Sequence, residues 1–203
     1  MKMQRYAWSC GAASVVNAFR CFGLVIRETE VIPVAGTIPP SKCKHCRDLR
    51  RMLEERAERG CKASKWKCSC ATCYAIRRRW RAECIAGTEE KGMLSAIRHF
   101  GADHLTASDY TSESRDNAWQ WLHGSLLHGR VAILCLDSWH HWALAFATSV
   151  DRVVVFDPYP SAVNKAANGV HPLNKTDLMR RWWNARAWVA GERRLYAISM
   201  GRK

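Results

Sequence analysis

The chain opens with Gln4-Arg5-Tyr6-Ala7-Trp8-Ser9-Cys10-Gly11-Ala12-Ala13, a glutamine six residues ahead of a cysteine that starts an apolar-periodic stretch. Ala12, Val16 and Phe19 fall on one helical stripe and Gly23 is a natural stop, so the spacing predicts a helix that begins at Cys10. A helix N-terminus presents unpaired N–H groups and partial positive charge, which favours the thiolate of a cysteine placed there. Gln4 then supplies an amide donor beside the Cys10 backbone N–H. Together they have the makings of an oxyanion hole, fixed dipoles that stabilise the oxygen of a tetrahedral intermediate. The competing role for a cysteine at a helix start is that of a small buried hydrophobe.

A thiol nucleophile needs a base and a group that orients the base. Val131-Ala132-Ile133-Leu134-Cys135-Leu136 is an apolar run bounded by Gly129-Arg130 and Asp137-Ser138, and it reads as a buried strand. A second strand is expected in His140-His141-Trp142-Ala143-Leu144-Ala145-Phe146-Ala147, and a third in Arg152-Val153-Val154-Val155-Phe156, which ends at Asp157-Pro158. Three consecutive antiparallel strands can bring a histidine and an aspartate side by side, which makes Cys10, His141 and Asp157 a candidate triad. Strand alternation sends His140 and His141 to opposite faces. His141 shares its face with Ala143 and Ala145, which leaves room for a substrate, whereas His140 shares its face with Trp142, Leu144 and Phe146. His141 is therefore the preferred base. Asp157 has a structural alternative, a turn cap with Pro158. Cys21, late in the first helix, and Cys135, within a strand, read as inert core thiols.

On these residues the chain resembles the papain-like peptidases that process bacteriocin leaders after a double glycine, family 39 of the cysteine peptidases, and their stand-alone relatives. The matching pieces are Gln-x5-Cys-Gly-Ala-Ala, the strand His141-Trp142-Ala143-Leu144, and Asp157-Pro158. A Gly-Thr element followed by a helix also fits, as Ala86-Gly87-Thr88 and then Gly92-Met93-Leu94-Ser95-Ala96-Ile97. The resemblance covers residues 1–37 and 86–200. It implies an α+β papain-like fold, with an N-terminal nucleophile helix packed on a mostly antiparallel sheet. It also implies peptide-bond cleavage through a thioester, with no catalytic cofactor and a peptide or protein substrate.

With 203 residues and 48% hydrophobic content, the chain can bury a substantial core as one domain carrying an insertion. No run approaches the roughly 18 apolar residues of a membrane helix. Met1-Lys2-Met3 runs into the cysteine box without an apolar segment, so no signal peptide is expected and the cytoplasm is the expected compartment. Ten cysteines in a reducing compartment argue for thiols or metal sites over disulfides.

Residues 38–85 differ from their surroundings. Cys43-x2-Cys46 and Cys70-x2-Cys73 can supply four thiolates to one tetrahedral zinc, with Cys61 and Cys68 available to a second or shared site. Leu49, Met52 and Leu53 stand at helical spacing between the pairs, and Gly60 is a stop. Ala-Gly-Thr occurs at both 35–37 and 86–88, as though this segment were spliced into a continuous element. A zinc-stabilised module and a metal-free excursion are the two readings, because so few residues cannot build a core alone. The segment carries 14 Lys+Arg against 5 Asp+Glu, out of a chain total of 32 against 18. Arg77-Arg78-Arg79-Trp80-Arg81 is either a nucleic-acid or acidic-protein contact or a solvated face.

Further helices are expected near 92–101, from Asp116 to Gly129, and over 176–183, with a last strand over 194–200. The domains expected are thus residues 1–37 with 86–203 as the peptidase unit and 38–85 as the Cys-rich basic insertion. Two other functions share these features. One is a catalytically silent peptidase-like binding module whose insertion contacts nucleic acid or protein. The other is an isopeptidase, deamidase or acyl transferase using the same thiol.

Overall fold

Short β-branched and alanine-rich runs pair into one antiparallel sheet that carries the whole architecture. The computed structural model describes residues 1–58, 72, 75, 87–137, 141–159, 168–185 and 193–203. Its strands are β1 (Leu105–Ser112), β2 (Val131–Leu136), β3 (His141–Thr148), β4 (Arg152–Phe156), β5 (Val170–Asn174), β6 (Asn184–Ala185) and β7 (Arg193–Arg202). The order across the sheet is β1-β7-β2-β3-β4-β5, with β6 joined to one end of β7. The fully buried β2 lies at the centre, paired with β3 and β7. The edge strands have no counterpart in the sequence reading. β1 reads LTASDYTS, mostly polar, and β5 contains Pro172, which an edge position tolerates.

Helices cover both faces of the sheet. On one lie α1 (Cys10–Cys21), α2 (Glu28–Val34) and α4 (Glu90–Gly101), while α3 (Lys44–Glu58) belongs to a separate unit. Their Val15, Val16, Phe19, Val31, Met93 and Ile97 form one core with Ile133, Leu144, Phe156 and Ile198. On the other face, α5 (Arg115–Leu127) and α6 (Lys175–Trp182) bury Leu122, Leu126, Leu178 and Trp182 against Leu134, Ala143, Ala145 and Val155. This is the α+β arrangement that the residue pattern implies. Gly23 and Gly129, at φ +79° and +70°, follow α1 and α5 in the left-handed region where glycine ends helices at little cost. Strand β3 meets β4 with one irregularity. Ala145 faces Val155 and Ala147 faces Val154, so Phe146 is the extra residue of a β-bulge.

The chain divides into two compact units, Met1–Thr37 with Thr88–Lys203, and Ile38–Gly87. In the first, the two Ala-Gly-Thr copies meet through their last residues, the Thr37 and Thr88 hydroxyls lying 2.8 Å apart and buried. In the second, Ile38 and Gly87 exchange two backbone hydrogen bonds of 2.8 and 2.9 Å. Its helix α3 (Lys44–Glu58) starts earlier than the sequence reading has it, so Cys46 lies in the first helical turn instead of a loop. Leu49 is buried and Met52 exposed. Cys43 and Cys46 are buried, while Cys70 and Cys73 lie outside the described residues, as do Cys61, Cys68 and Arg77 to Arg81. Among the described residues no group of three or more His, Cys, Asp or Glu stands at metal-binding spacing, so the zinc expectation gains no support.

Gly11 is where α1 passes Thr88. A Cβ added at Gly11 would lie 2.6 Å from Thr88 Cβ and 2.8 Å from its hydroxyl oxygen. Gly11→Ala is therefore expected to destabilise the protein by about 1–3 kcal/mol, the usual cost of overpacking. Urea unfolding checks this, and an unchanged midpoint would show that α1 and Thr88 can move apart freely.

Candidate active site

The site is built from the N-terminus of α1 and from one end of the sheet. Cys10 is the first residue of α1 and 9% exposed. Its N-cap, Ser9, makes no side-chain capping bond to the helix. The Ser9 hydroxyl instead sits between Tyr6 O, at 2.9 Å, and a carboxylate oxygen of Glu28. The first-turn amides of α1 are thus left uncapped by Ser9 at the end of the helix that carries Cys10.

The segment before Cys10 is laced down at each step. Asn17 of α1 accepts from Lys2 N at 2.6 Å and donates to Lys2 O at 2.8 Å. Gln4 N donates to Pro158 O at 2.9 Å, tying this segment to the end of β4. Buried Glu28 accepts from Arg5 N with both oxygens, at 3.2 and 3.0 Å. The Gln4 side chain is buried and its Nε2 donates to Tyr6 O at 2.7 Å, while its Oε1 has no partner among the described residues. One of the two Nε2 hydrogens is thus engaged with the loop.

Across from this helix end, His141 is the first residue of β3 and Asp157 follows the last residue of β4. His141 Nε2 donates to Asp157 Oδ1 at 2.7 Å, with both side chains nearly buried. The Cys10 thiol lies close enough to His141 to favour its charged imidazole. With Nε2 committed to Asp157, Nδ1 is the ring nitrogen left for sulfur. Tyr159 N donates to the same Asp157 Oδ1 at 3.0 Å, and the Tyr159 ring stands edge-on to His141. Burial disfavours the charged imidazole, but the bonds to Asp157 and Cys10 outweigh it and raise His141 to about 10. Burial likewise opposes the Asp157 charge, and His141, the Tyr159 N–H and Arg181 outweigh it and hold the carboxyl at about 2.

Two of the solved structures that align over nearly the whole chain are peptidase structures. One is a double glycine motif protease from an AMS/PCAT transporter in complex with the leader peptide, at 13% identity and a TM-score of 0.51, covering 99% of this chain and 89% of that one. The other is the peptidase domain of Streptococcus ComA, a bi-functional ABC transporter of a quorum-sensing pathway. It aligns at 10% identity and a TM-score of 0.52, covering 100% and 97%. The chain has the fold of a double-glycine peptidase domain. No protein-family model matches it, and no curated protein does.

Within that peptidase fold, the sequence reading named His141 for a reason that needs correction. Ala143 and Ala145, taken to leave room for substrate, are completely buried against α5 and α6. What sets His141 apart is its place as the first residue of β3, at the open end of the sheet. His140 lies outside the described residues. Cys135 is buried as expected. Cys21 is the exposed last residue of α1, and the atoms packed around its sulfur push the thiol up, away from an activated thiolate. It lines a cavity of about 630 Å³ with Phe22, His128, Arg130 and Arg202. That cavity lies at the opposite end of the sheet from Cys10, where α1 and α5 end, and its cations complement two helix C-termini. The sequence reading missed Asn17, Glu28, Asp137 and Arg181. Among the described residues no helix is long and apolar enough to cross a membrane.

The two shifted groups set a pH window. His141, raised from an ordinary 6.5, contributes stability that is complete below that value and lost as pH rises through about 10. Asp157, lowered from 3.8, contributes stability that is complete above that value and lost as pH falls through about 2. The stability difference between wild type and Asp157→Asn should therefore be largest between pH 3.8 and 6.5 and shrink on both sides. Chemical unfolding across pH measures it, and a difference that does not vary with pH would mean the pair is uncharged or unformed.

Proposed function

We propose that this chain is a cysteine peptidase acting through Cys10, His141 and Asp157. The observation that carries the reading is one contiguous set of contacts. A nearly buried thiol at a helix N-terminus lies beside a histidine, favouring its charged form, and that histidine's far nitrogen is held at 2.7 Å by a buried carboxylate. His141 takes the Cys10 proton, and the thiolate attacks the scissile carbonyl carbon. The Cys10 N–H and the second Nε2 hydrogen of Gln4 bind the oxyanion. Collapse breaks the C–N bond as His141 returns the proton to the leaving amine. Water, deprotonated by His141, then hydrolyses the thioester. Asp157 holds the ring in the tautomer and orientation that both steps require. The substrate is a peptide, in keeping with the leader peptide bound by one structure of the same fold.

An electrophilic peptide probe followed by mass spectrometry asks whether one thiol among ten is activated. Labelling is expected at Cys10 alone. Cys10→Ala and His141→Ala should abolish turnover with the fold retained, and Asp157→Asn should lower it less completely. Gln4→Ala should slow kcat on the order of 10²-fold with little change in KM. Full activity in His141→Ala would overturn the triad. Tight peptide binding without turnover in wild type would favour a silent binding module, and transfer to an amine in place of water would favour an acyl transferase.

The unit Met1–Thr37 with Thr88–Lys203 is proposed to hold this activity by itself, since all the site residues belong to it. Replacing residues 38–87 by a short Gly-Ser linker should leave a cooperatively folded protein that the probe still labels at Cys10. An insoluble or unreactive product would show that the catalytic unit needs the insertion.

A further inference from the structure

The Asp157 carboxylate makes a second contact that a Cys-His-Asp triad does not itself require. Its Oδ1 accepts from His141 and from Tyr159 N, while its Oδ2 faces Arg181 Nη2 of α6 at 3.4 Å. Arg181 is itself held. Its Nε and Nη2 fork onto the two oxygens of Asp137 at 3.2 and 2.7 Å, and its main-chain carbonyl accepts from Asp137 N at 2.8 Å. Asp137 follows Leu136, the residue that pairs with His141 across β2 and β3. It takes φ +52°, a left-handed conformation that aspartate tolerates better than most residues. The guanidinium thus joins three pieces of the site: the end of β2, the residue after β4, and α6.

Resting on the peptidase reading, we propose that Arg181, fixed by Asp137, is a positioning residue that holds the Asp157 carboxylate in the orientation His141 needs. The physical reason is the shape of the carboxylate. A buried Asp157 tied only through Oδ1 could turn about its last torsion and trade oxygens, tilting the imidazole away from Cys10. Arg181 on Oδ2 removes that freedom. Charge alone is the lesser effect: Arg181 stands 3.4 Å from Asp157, and among the groups that hold that carboxyl down it is the weakest, after His141 and the Tyr159 N–H. Geometry is the larger one. A planar fork can keep two bonds to Asp137 and still present Nη2 to Asp157, which a lysine ammonium cannot do.

A double-mutant cycle tests whether Arg181 acts through Asp157 or merely anchors α6. Arg181→Gln, Arg181→Lys and Asp137→Asn would each be made in wild type and in Asp157→Asn. Two rates are read: iodoacetamide alkylation of Cys10, which needs no turnover, and kcat and KM on a peptide. In wild type, Arg181→Gln should lower the alkylation rate and kcat by about tenfold with KM little changed, and Arg181→Lys should restore only part of the loss. In the Asp157→Asn background, the same substitutions should cost less than about twofold. Equal losses in both backgrounds would overturn the proposal, and so would full rescue by lysine. Should Arg181→Gln lose its cooperative thermal melt, Asp137→Asn carries the test, since it opens the fork but leaves the guanidinium in place. A wild type that alkylates at Cys10 yet cleaves no peptide would sink the peptidase reading and leave the alkylation cycle to judge Arg181.

Discussion

The register of β3 on β4 is the constraint on which the site depends. Leu144 faces Phe156, and one step further along the ladder Asp157 comes opposite Ala143, on the face that His141 shares. The bulge at Phe146 makes this so. Without it, the pairing of Ala147 with Val154 would continue to Leu144 opposite Asp157 and turn the carboxylate to the α1 face, away from His141. One extra residue within β3 therefore decides whether Asp157 can meet His141. From that alignment follow the His141–Asp157 bond and the approach of Arg181 from α6.

The members of the proposed triad come from opposite layers of the molecule. Cys10 belongs to the α1 side of the sheet, whereas His141, Asp157 and Arg181 belong to the α6 side. They meet because His141 begins its strand, at the end of the sheet where a ring can reach past the layer boundary. The Gln4 N bond to Pro158 O closes the same end by tying the segment before α1 to the chain just after Asp157. Glu28, buried and with no cation among the described residues as hydrogen-bond partner, spends its oxygens on Arg5 N and the Ser9 hydroxyl. Removing it would strand those donors, a cost of about 1–3 kcal/mol per group. The N-terminal segment is thus held by acceptors from α1, α2 and the β4 end, leaving little slack in the approach to Cys10.

The amino-acid sequence discloses those parts of this arrangement that rest on local pattern. The α1 start at Cys10, the central strands β2 to β4, the last strand and the helices ended by Gly23 and Gly129 are all legible, because apolar period and turn residues specify them. The edge strands β1 and β5 are not legible, since polar residues and a proline carry no strand signal and their pairing partners lie far along the chain. Arg181 and Asp137 stayed hidden for a related reason. They are 44 residues apart, and nothing near either one indicates that they fork together behind Asp157. His141 was reached by an argument about small neighbours that the packing of Ala143 and Ala145 overturns. Position at a strand end, not room on a strand face, is what distinguishes it.

The neck formed where the two Ala-Gly-Thr copies meet has an entropic consequence. Once the Thr37 and Thr88 hydroxyls and the Ile38–Gly87 bridge fix the two ends, the chain between them adds to the unfolded-state cost only through the logarithm of its length. Each doubling of a flexible loop costs only about 0.6 kcal/mol, so an excursion of this size weighs about 2 kcal/mol more on the larger unit than a four-residue turn would. Thermodynamic tolerance at this point belongs to the closure and not to the excursion. The neck is accordingly a natural port, through which chain of quite different length and composition can leave and rejoin the scaffold at a cost that grows only slowly with its length.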